Sequence, residues 1–178
     1  MTDTVLQTLE RGLLTITMNR PERRNALNAD MAAGLVAAAQ RAAEDPAVRA
    51  VLLRGAGGTF CVGGDVKAMA ERKTALSFED KRTSLRARME VSRLLHEMAK
   101  PVVAQIDGAA AGAGLSIALS CDLRVAGASA KITTAFAKVG FSGDYGGTYF
   151  LTQLVGAAKA RELYCLSDRV RADEAVRL

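Results

Sequence analysis

Apolar and polar positions alternate twice near the start of the chain. Residues 4 to 10 and 12 to 18 read as two short strands around Arg11-Gly12, with Leu13, Leu14, Ile16 and Met18 supplying apolar faces. So tight a connection predicts a hairpin. The stretch N19-R-P-E-R-R-N-A-L-N28 is a polar connection in which Pro21 breaks regular structure. Asn28 is placed to cap a helix that begins near Ala29 and runs to about Glu44, through Met31, Leu35, Val36 and Ala39. Asp45-Pro46 ends it. Residues 49 to 54, RAVLLR, predict a buried strand, followed by the loop G55-A-G-G-T-F-C-V-G-G64. An amphipathic helix is expected over much of 65 to 99, with an interruption near Ser77.

Pro101 opens another strand, PVVAQI, which ends in Asp107-Gly108. Residues 109 to 114 are small and flexible and lead into a helix, LSIALSC. DLRVA at 122 to 126 predicts a third buried strand, and AKITTA at 130 to 135 a fourth. Residues 140 to 147 read as a loop and the remainder as helix. Apolar strands joined by helices imply an α/β fold with parallel pairing. The length suits one core domain over 1–178. The pattern stops inside an apolar helical run, EAVRL, which predicts a missing C-terminal helical segment.

Composition narrows the chemistry. Apolar residues at 49% and charged residues at 24% exclude a disordered chain. No run approaches the roughly 18 apolar residues of a membrane span. No basic segment followed by an apolar one opens the chain, so the cytoplasm is expected. His96 is the single histidine and cannot build a multi-histidine metal site; no metal is expected. Cys61, Cys121 and Cys165 lack C-x-x-C spacing and read as reduced thiols packed as small hydrophobes. The net charge of +5 is scattered. Arg82, Arg86, Arg88 and Arg93 alternate with Glu79, Asp80, Glu90 and Glu97, which reads as a solvated helix face and not as a nucleic-acid patch. Aromatic residues at 4% leave little to stack bases on, so neither nucleic acid nor membrane is expected as a partner.

Two loops place small residues directly before a helix: V62-G-G-D65 and G112-A-G114. Helix N-termini carry free N–H groups and partial positive charge. Two such groups converging on one point form an oxyanion hole. Glycines also serve close packing or a positive φ, and spacing alone does not separate the two roles. Neither loop matches a dinucleotide fingerprint or a P-loop.

Three segments then carry a resemblance. N19-R-P-E-R-R-N-A-L-N28, F60-C-V-G-G-D-V66 and D107-G-A-A-A-G-A-G-L-S-I-A-L-S-C-D122 resemble consecutive signatures of the enoyl-CoA hydratase/isomerase (crotonase) superfamily. The resemblance runs from about residue 4 to the C-terminus. It implies a spiral of ββα units and an acyl-CoA thioester as substrate. It implies no cofactor beyond the coenzyme A that the substrate carries, and a homotrimer or hexamer. Its oxyanion donors fall on the backbone N–H groups of Gly64 and Ala113. Ala26, Asp65 and Val66 match backbone positions that hold adenine and pantetheine. Arg24 and Lys67 match basic positions that meet the CoA phosphates; a solvated surface role is the alternative for both.

The two glutamates shared by hydratases in this superfamily correspond here to Ser116 and Phe136. Neither supplies the acid and base that hydration needs. Asp144, in G140-F-S-G-D-Y-G-G-T148, matches the catalytic carboxylate of dienoyl-CoA and epoxyphenylacetyl-CoA isomerases. An aspartate there would equally cap a helix opening at Gly146-Gly147. A single carboxylate suits an isomerase, and desolvation beside Phe136, Phe141 and Tyr145 would raise its basicity. Tyr145 would either donate a hydrogen bond to substrate or simply pack. The aryl-CoA dehalogenase of this superfamily also needs a histidine where this chain has Met89. The resemblance thus implies a double-bond isomerase with Asp144 as its base. A hydratase using Asp144 alone, or a non-catalytic acyl-CoA-binding scaffold, is the alternative.

Overall fold

Strands β1 (Val5–Glu10) and β2 (Leu13–Met18) pair antiparallel across a two-residue turn. Arg11 and Gly12 both take positive φ there, 51° and 86°. That turn has the twist that matches its flanking strands. The computed structural model describes residues 3–66 and 77–178. The inner strand, β2, carries the core: Leu14, Ile16 and Met18 are buried, whereas β1 is largely exposed.

Helix α1 (Ala29–Glu44) starts where expected, because the Asn28 side chain accepts the Met31 N–H at 2.9 Å. Its buried face alternates Met31 and Leu35 with Ala32, Ala38, Ala39 and Ala42. Those short side chains let the helix lie close against the sheet. Asp45 leaves the helical region and ends it.

Strands β3 (Ala50–Gly55), β4 (Val102–Ile106) and β6 (Leu123–Ala126) join β2 in parallel, giving the order β1-β2-β3-β4-β6. Leu14, Val51 and Val102 stand in register across three strands and are fully buried. Helix α2 (Phe78–Glu97) is capped by the Ser77 side chain, which accepts the Asp80 N–H at 3.1 Å. The predicted interruption near Ser77 is therefore a helix start. The part of that predicted helix at 67 to 76 lies outside the described residues.

A second sheet of three short strands, β5 (Ala109–Ala111), β7 (Lys131–Thr133) and β8 (Val170–Arg171), packs with helices α3 (Ala113–Leu119), α4 (Gly147–Leu166) and α5 (Ala172–Ala175). The parallel α/β architecture is as expected, with four corrections. Residues 109 to 111 form a strand, because their backbone is paired on both sides. Strand β6 is an edge and not a buried strand: Leu123 and Val125 are each 60% exposed. The fourth predicted strand belongs to the second sheet. The C-terminal region is not continuous helix. Gly156 breaks α4 with φ 77° and ψ 163°, and β8 follows. Among the described residues no helix is long and apolar enough to cross a membrane.

Candidate active site

The site is assembled from three backbone segments that lie side by side. Leu27 N–H donates to Gly63 O at 2.8 Å and Asp65 N–H to Leu27 O at 3.0 Å. Cys61 N–H donates to Ala109 O at 3.0 Å and Ala111 N–H to Cys61 O at 2.9 Å. Close approach requires glycine at two places. A Cβ on Gly63, whose φ is +90°, would lie 2.9 Å from Ala111 O and 3.4 Å from Ala113 N. A Cβ on Gly114 would lie 2.4 Å from Cys61 O. The loops before Asp65 and before α3 therefore meet. Gly64 and Ala113 line the same cavity, and neither N–H donates to a protein acceptor among the described residues.

Two polar side chains lock this arrangement, and sequence reading singled out neither. Asn25 is fully buried with a left-handed φ of 56°. Its Oδ1 accepts Arg20 N–H at 2.9 Å, and its Nδ2 donates to Ala56 O at 2.9 Å and Thr59 O at 2.6 Å. The Arg20 guanidinium donates to Ala26 O and pairs with Asp65 Oδ2 at 3.1 Å. One arginine thus holds two of the positions matched to coenzyme A contacts. Asn25→Ala would leave one N–H and two carbonyls of half-buried loop residues without their partner. It is expected to lower stability by about 3 kcal/mol, read as a shift in the urea midpoint at unchanged slope.

The cavity has a volume of about 450 Å³. Gly64 and Ala113 form one part of its wall, Phe136, Phe141 and Tyr145 another, and Leu85 and Arg88 of α2 a third. Asp144 also faces it. Its Oδ1 is buried and has no hydrogen-bond partner among the described residues. Burial raises its pKa from 3.8 to about 6, against the opposing pull of the Arg88 charge. The helix-capping alternative fails for the side chain: the N-cap of α4 is Gly146, with no side-chain bond. Only the Asp144 main-chain carbonyl accepts from that turn, from Gly147 N–H at 3.1 Å.

The surroundings explain the desolvation. Phe136 is buried and stacks on Tyr164, with ring centroids 6.0 Å apart and planes within 1°. Tyr145 is 5% exposed and packs into the main core as well as lining the cavity. Burial pushes the Tyr164 phenol up to about 12. Ser116 itself is buried, with Oγ donating to Gly112 O at 3.3 Å. Burial likewise pushes the Cys61 thiol up to about 12, which removes it as a nucleophile at neutral pH.

Other expectations fare differently. Ala26 is buried beside the Arg20 contact, and Val66 is exposed at the cavity mouth. Arg24 is exposed and does not line the cavity; its carbonyl accepts Val62 N–H at 3.3 Å. Lys67 lies outside the described residues. Cys61 and Cys121 are buried free thiols, but Cys165 is exposed, contrary to expectation. Arg88 is the main correction. The sequence pattern predicts a solvated face for it, and it lines the cavity instead. His96 lies edge-on to Phe150 with centroids 5.0 Å apart and does not line the cavity. No group of three or more possible metal ligands occurs among the described residues.

The family model for enoyl-CoA hydratase/isomerase matches residues 8–178. The chain belongs to that family. It is 36% identical over 175 residues to the 1,2-epoxyphenylacetyl-CoA isomerase of Escherichia coli (strain K12), covering 98% of this chain and 67% of that protein. It is 38% identical over 176 residues to a probable enoyl-CoA hydratase of Rhodobacter capsulatus, covering 98% and 66%. The crystal structure of a putative enoyl-CoA hydratase from Streptomyces coelicolor superposes with a TM-score of 0.91 at 36% identity, covering 98% of this chain and 64% of that one. The chain thus spans about two thirds of the length of these relatives. The crotonase-type α/β fold is borne out. Both hydratases and isomerases occur among the enoyl-CoA hydratase/isomerase relatives, so membership alone does not choose between the two reactions.

Proposed function

We propose that the protein is an acyl-CoA isomerase that uses Asp144 as its single base. One observation carries the reading. Asp144 is the only carboxylate among the described residues of the cavity wall, and its buried Oδ1 is unpaired. The positions matched to the hydratase glutamates hold Ser116 and Phe136, so no second carboxylate is at hand to divide acid and base work. Asp144 takes a proton from one carbon of the acyl chain. The electron pair moves into the thioester carbonyl, giving an enolate whose oxygen accepts from Gly64 N–H and Ala113 N–H. The protonated Asp144 returns the proton at a different carbon, and the double bond has moved. Ala26, Asp65 and Val66 hold the coenzyme A portion, with Arg24 and Lys67 near its phosphates. Phe136 and Tyr145 hold the acyl chain.

Incubation with a medium-chain 2-enoyl-CoA in heavy water tests the reaction. Deuterium entering the chain without gain of water is the expected result. A product heavier by one water would replace the isomerase with a hydratase, the second reading, which the Rhodobacter capsulatus relative favours. No exchange and no product would favour the binding-only scaffold. Because the base must be ionised, kcat/KM is expected to fall as pH drops below about 6, the value to which burial lifts Asp144. A rate flat down to pH 4.5 would remove Asp144 from the role.

We further propose a homotrimer or hexamer in the cytoplasm. The exposed Leu123 and Val125 give an edge strand that another surface would cover. The free thiols suit a reducing compartment. Light scattering that returned a monomer would contradict the assembly.

A further inference from the structure

The α2 wall of the cavity differs from the rest. Lys81, Leu85 and Arg88 follow one another at helical spacing and all face the cavity. Arg88 is half-buried. Its Nε donates to Ser84 O and its Nη2 to Ser84 Oγ, both at 3.1 Å. Those bonds hold the guanidinium in place and use only part of its donor set. It makes no ion pair among the described residues, unlike Arg93 on the same helix, which pairs with both Glu90 and Glu97. Among the described residues of the cavity wall the charged groups are Lys81, Arg88 and Asp144. With Asp144 ionised, two cations face one anion. Much of the remaining wall is apolar, formed by Leu27, Val62, Ala113, Phe136 and Val139.

A fixed guanidinium with free donors in a largely apolar cavity is built to receive an oxygen anion. A wholly hydrocarbon acyl chain would desolvate Arg88 and leave it only the Asp144 charge across the cavity, with no new partner for its free donors. We infer that the acyl chain bound here carries a carboxylate beyond the thioester, and that Arg88 determines this specificity by pairing with it. The inference rests on the acyl-CoA reading of the site and adds the class of acyl chain to it.

The test compares two saturated six-carbon esters that the isomerase cannot turn over, adipyl-CoA and hexanoyl-CoA, by calorimetry. Adipyl-CoA is expected to bind about 10-fold tighter or better, the order of a charge-assisted bidentate pair. In Arg88→Gln the ratio of the two dissociation constants is expected to fall close to one, and Arg88→Lys to retain part of it. Circular dichroism of each variant checks that it is folded. Hexanoyl-CoA binding as tightly as adipyl-CoA, or a preference that survives Arg88→Gln, would overturn the inference and leave the acyl-CoA site standing. Failure of both esters to bind would overturn the site and the inference together.

Discussion

Asp144→Asn is expected to cut turnover by about 10³-fold or more while a CoA ester still binds. The substitution keeps the shape of the side chain and removes its ability to accept a proton. Nothing else described on the cavity wall replaces it. The Tyr145 phenol, which also lines the wall, is pushed above its ordinary value by burial and by the neighbouring Asp144 charge. The same variant should be more stable than the parent at pH 7. A carboxyl whose folded pKa lies near 6, against 3.8 when unfolded, binds protons more readily in the folded state between those values. Stability therefore falls as pH rises from 3.8 to 6 and stays reduced above. With the solvent that reaches Asp144 discounted, removing the charge is expected to return about 1 kcal/mol. Activity lost and stability gained together mark a group kept for chemistry at a structural cost. A variant with normal turnover would exclude Asp144 as the base, and one less stable at pH 7 would contradict its uncompensated burial.

Gly114→Ala is expected to lower kcat by about 10²-fold and stability by about 3 kcal/mol. The new Cβ would meet Cys61 O at 2.4 Å and Cys61 Cβ and Sγ at 2.7 Å. The nearest of these is main chain and cannot rotate away. Trimming the side chain with Cys61→Ala should therefore fail to rescue the variant. The clash would push the 60–65 segment from the start of α3, and with it Gly64 N–H from Ala113 N–H. Donors aimed at a developing oxyanion lose most of their value when displaced by about 1 Å. Chemical denaturation and steady-state kinetics on the single and double variants check both halves. Unchanged kcat in a folded Gly114→Ala protein would mean that the two loops do not act as a pair.

Legibility in the sequence followed the range of the forces. The Asn28 cap, the end of α1 at Asp45 and the Arg11-Gly12 turn are local, and each was placed to the residue or nearly so. The edge position of strand β6 is not legible in the sequence, because an apolar run shows that a strand is favoured and not how many neighbours it acquires. Strands β5 and β8 were missed for a related reason. Three alanines and a Val-Arg pair have no pattern of their own, and each becomes a strand only through a distant partner. The same holds in the site. Asp144 was legible through a family resemblance. The capping alternative for its side chain is removed only by the tertiary structure, through the left-handed Gly146 and the absence of a side-chain cap.

The sequence by itself determined the α/β class, most of the order of elements, the glycine-rich loops and the three segments that carry the family resemblance. These follow from periodicity, capping and residue identity, which act over a few positions. Only the tertiary structure decided which side chains meet. Arg20 reaches Asp65 across 45 positions, Asn25 ties two loops by donating to carbonyls 31 and 34 residues away, and Arg88 turns from an apparent surface stripe into the cavity. Such contacts depend on how two segments of the folded chain approach each other. No local pattern encodes that approach, because the packing that produces it is the sum of many weak contacts spread over the whole core.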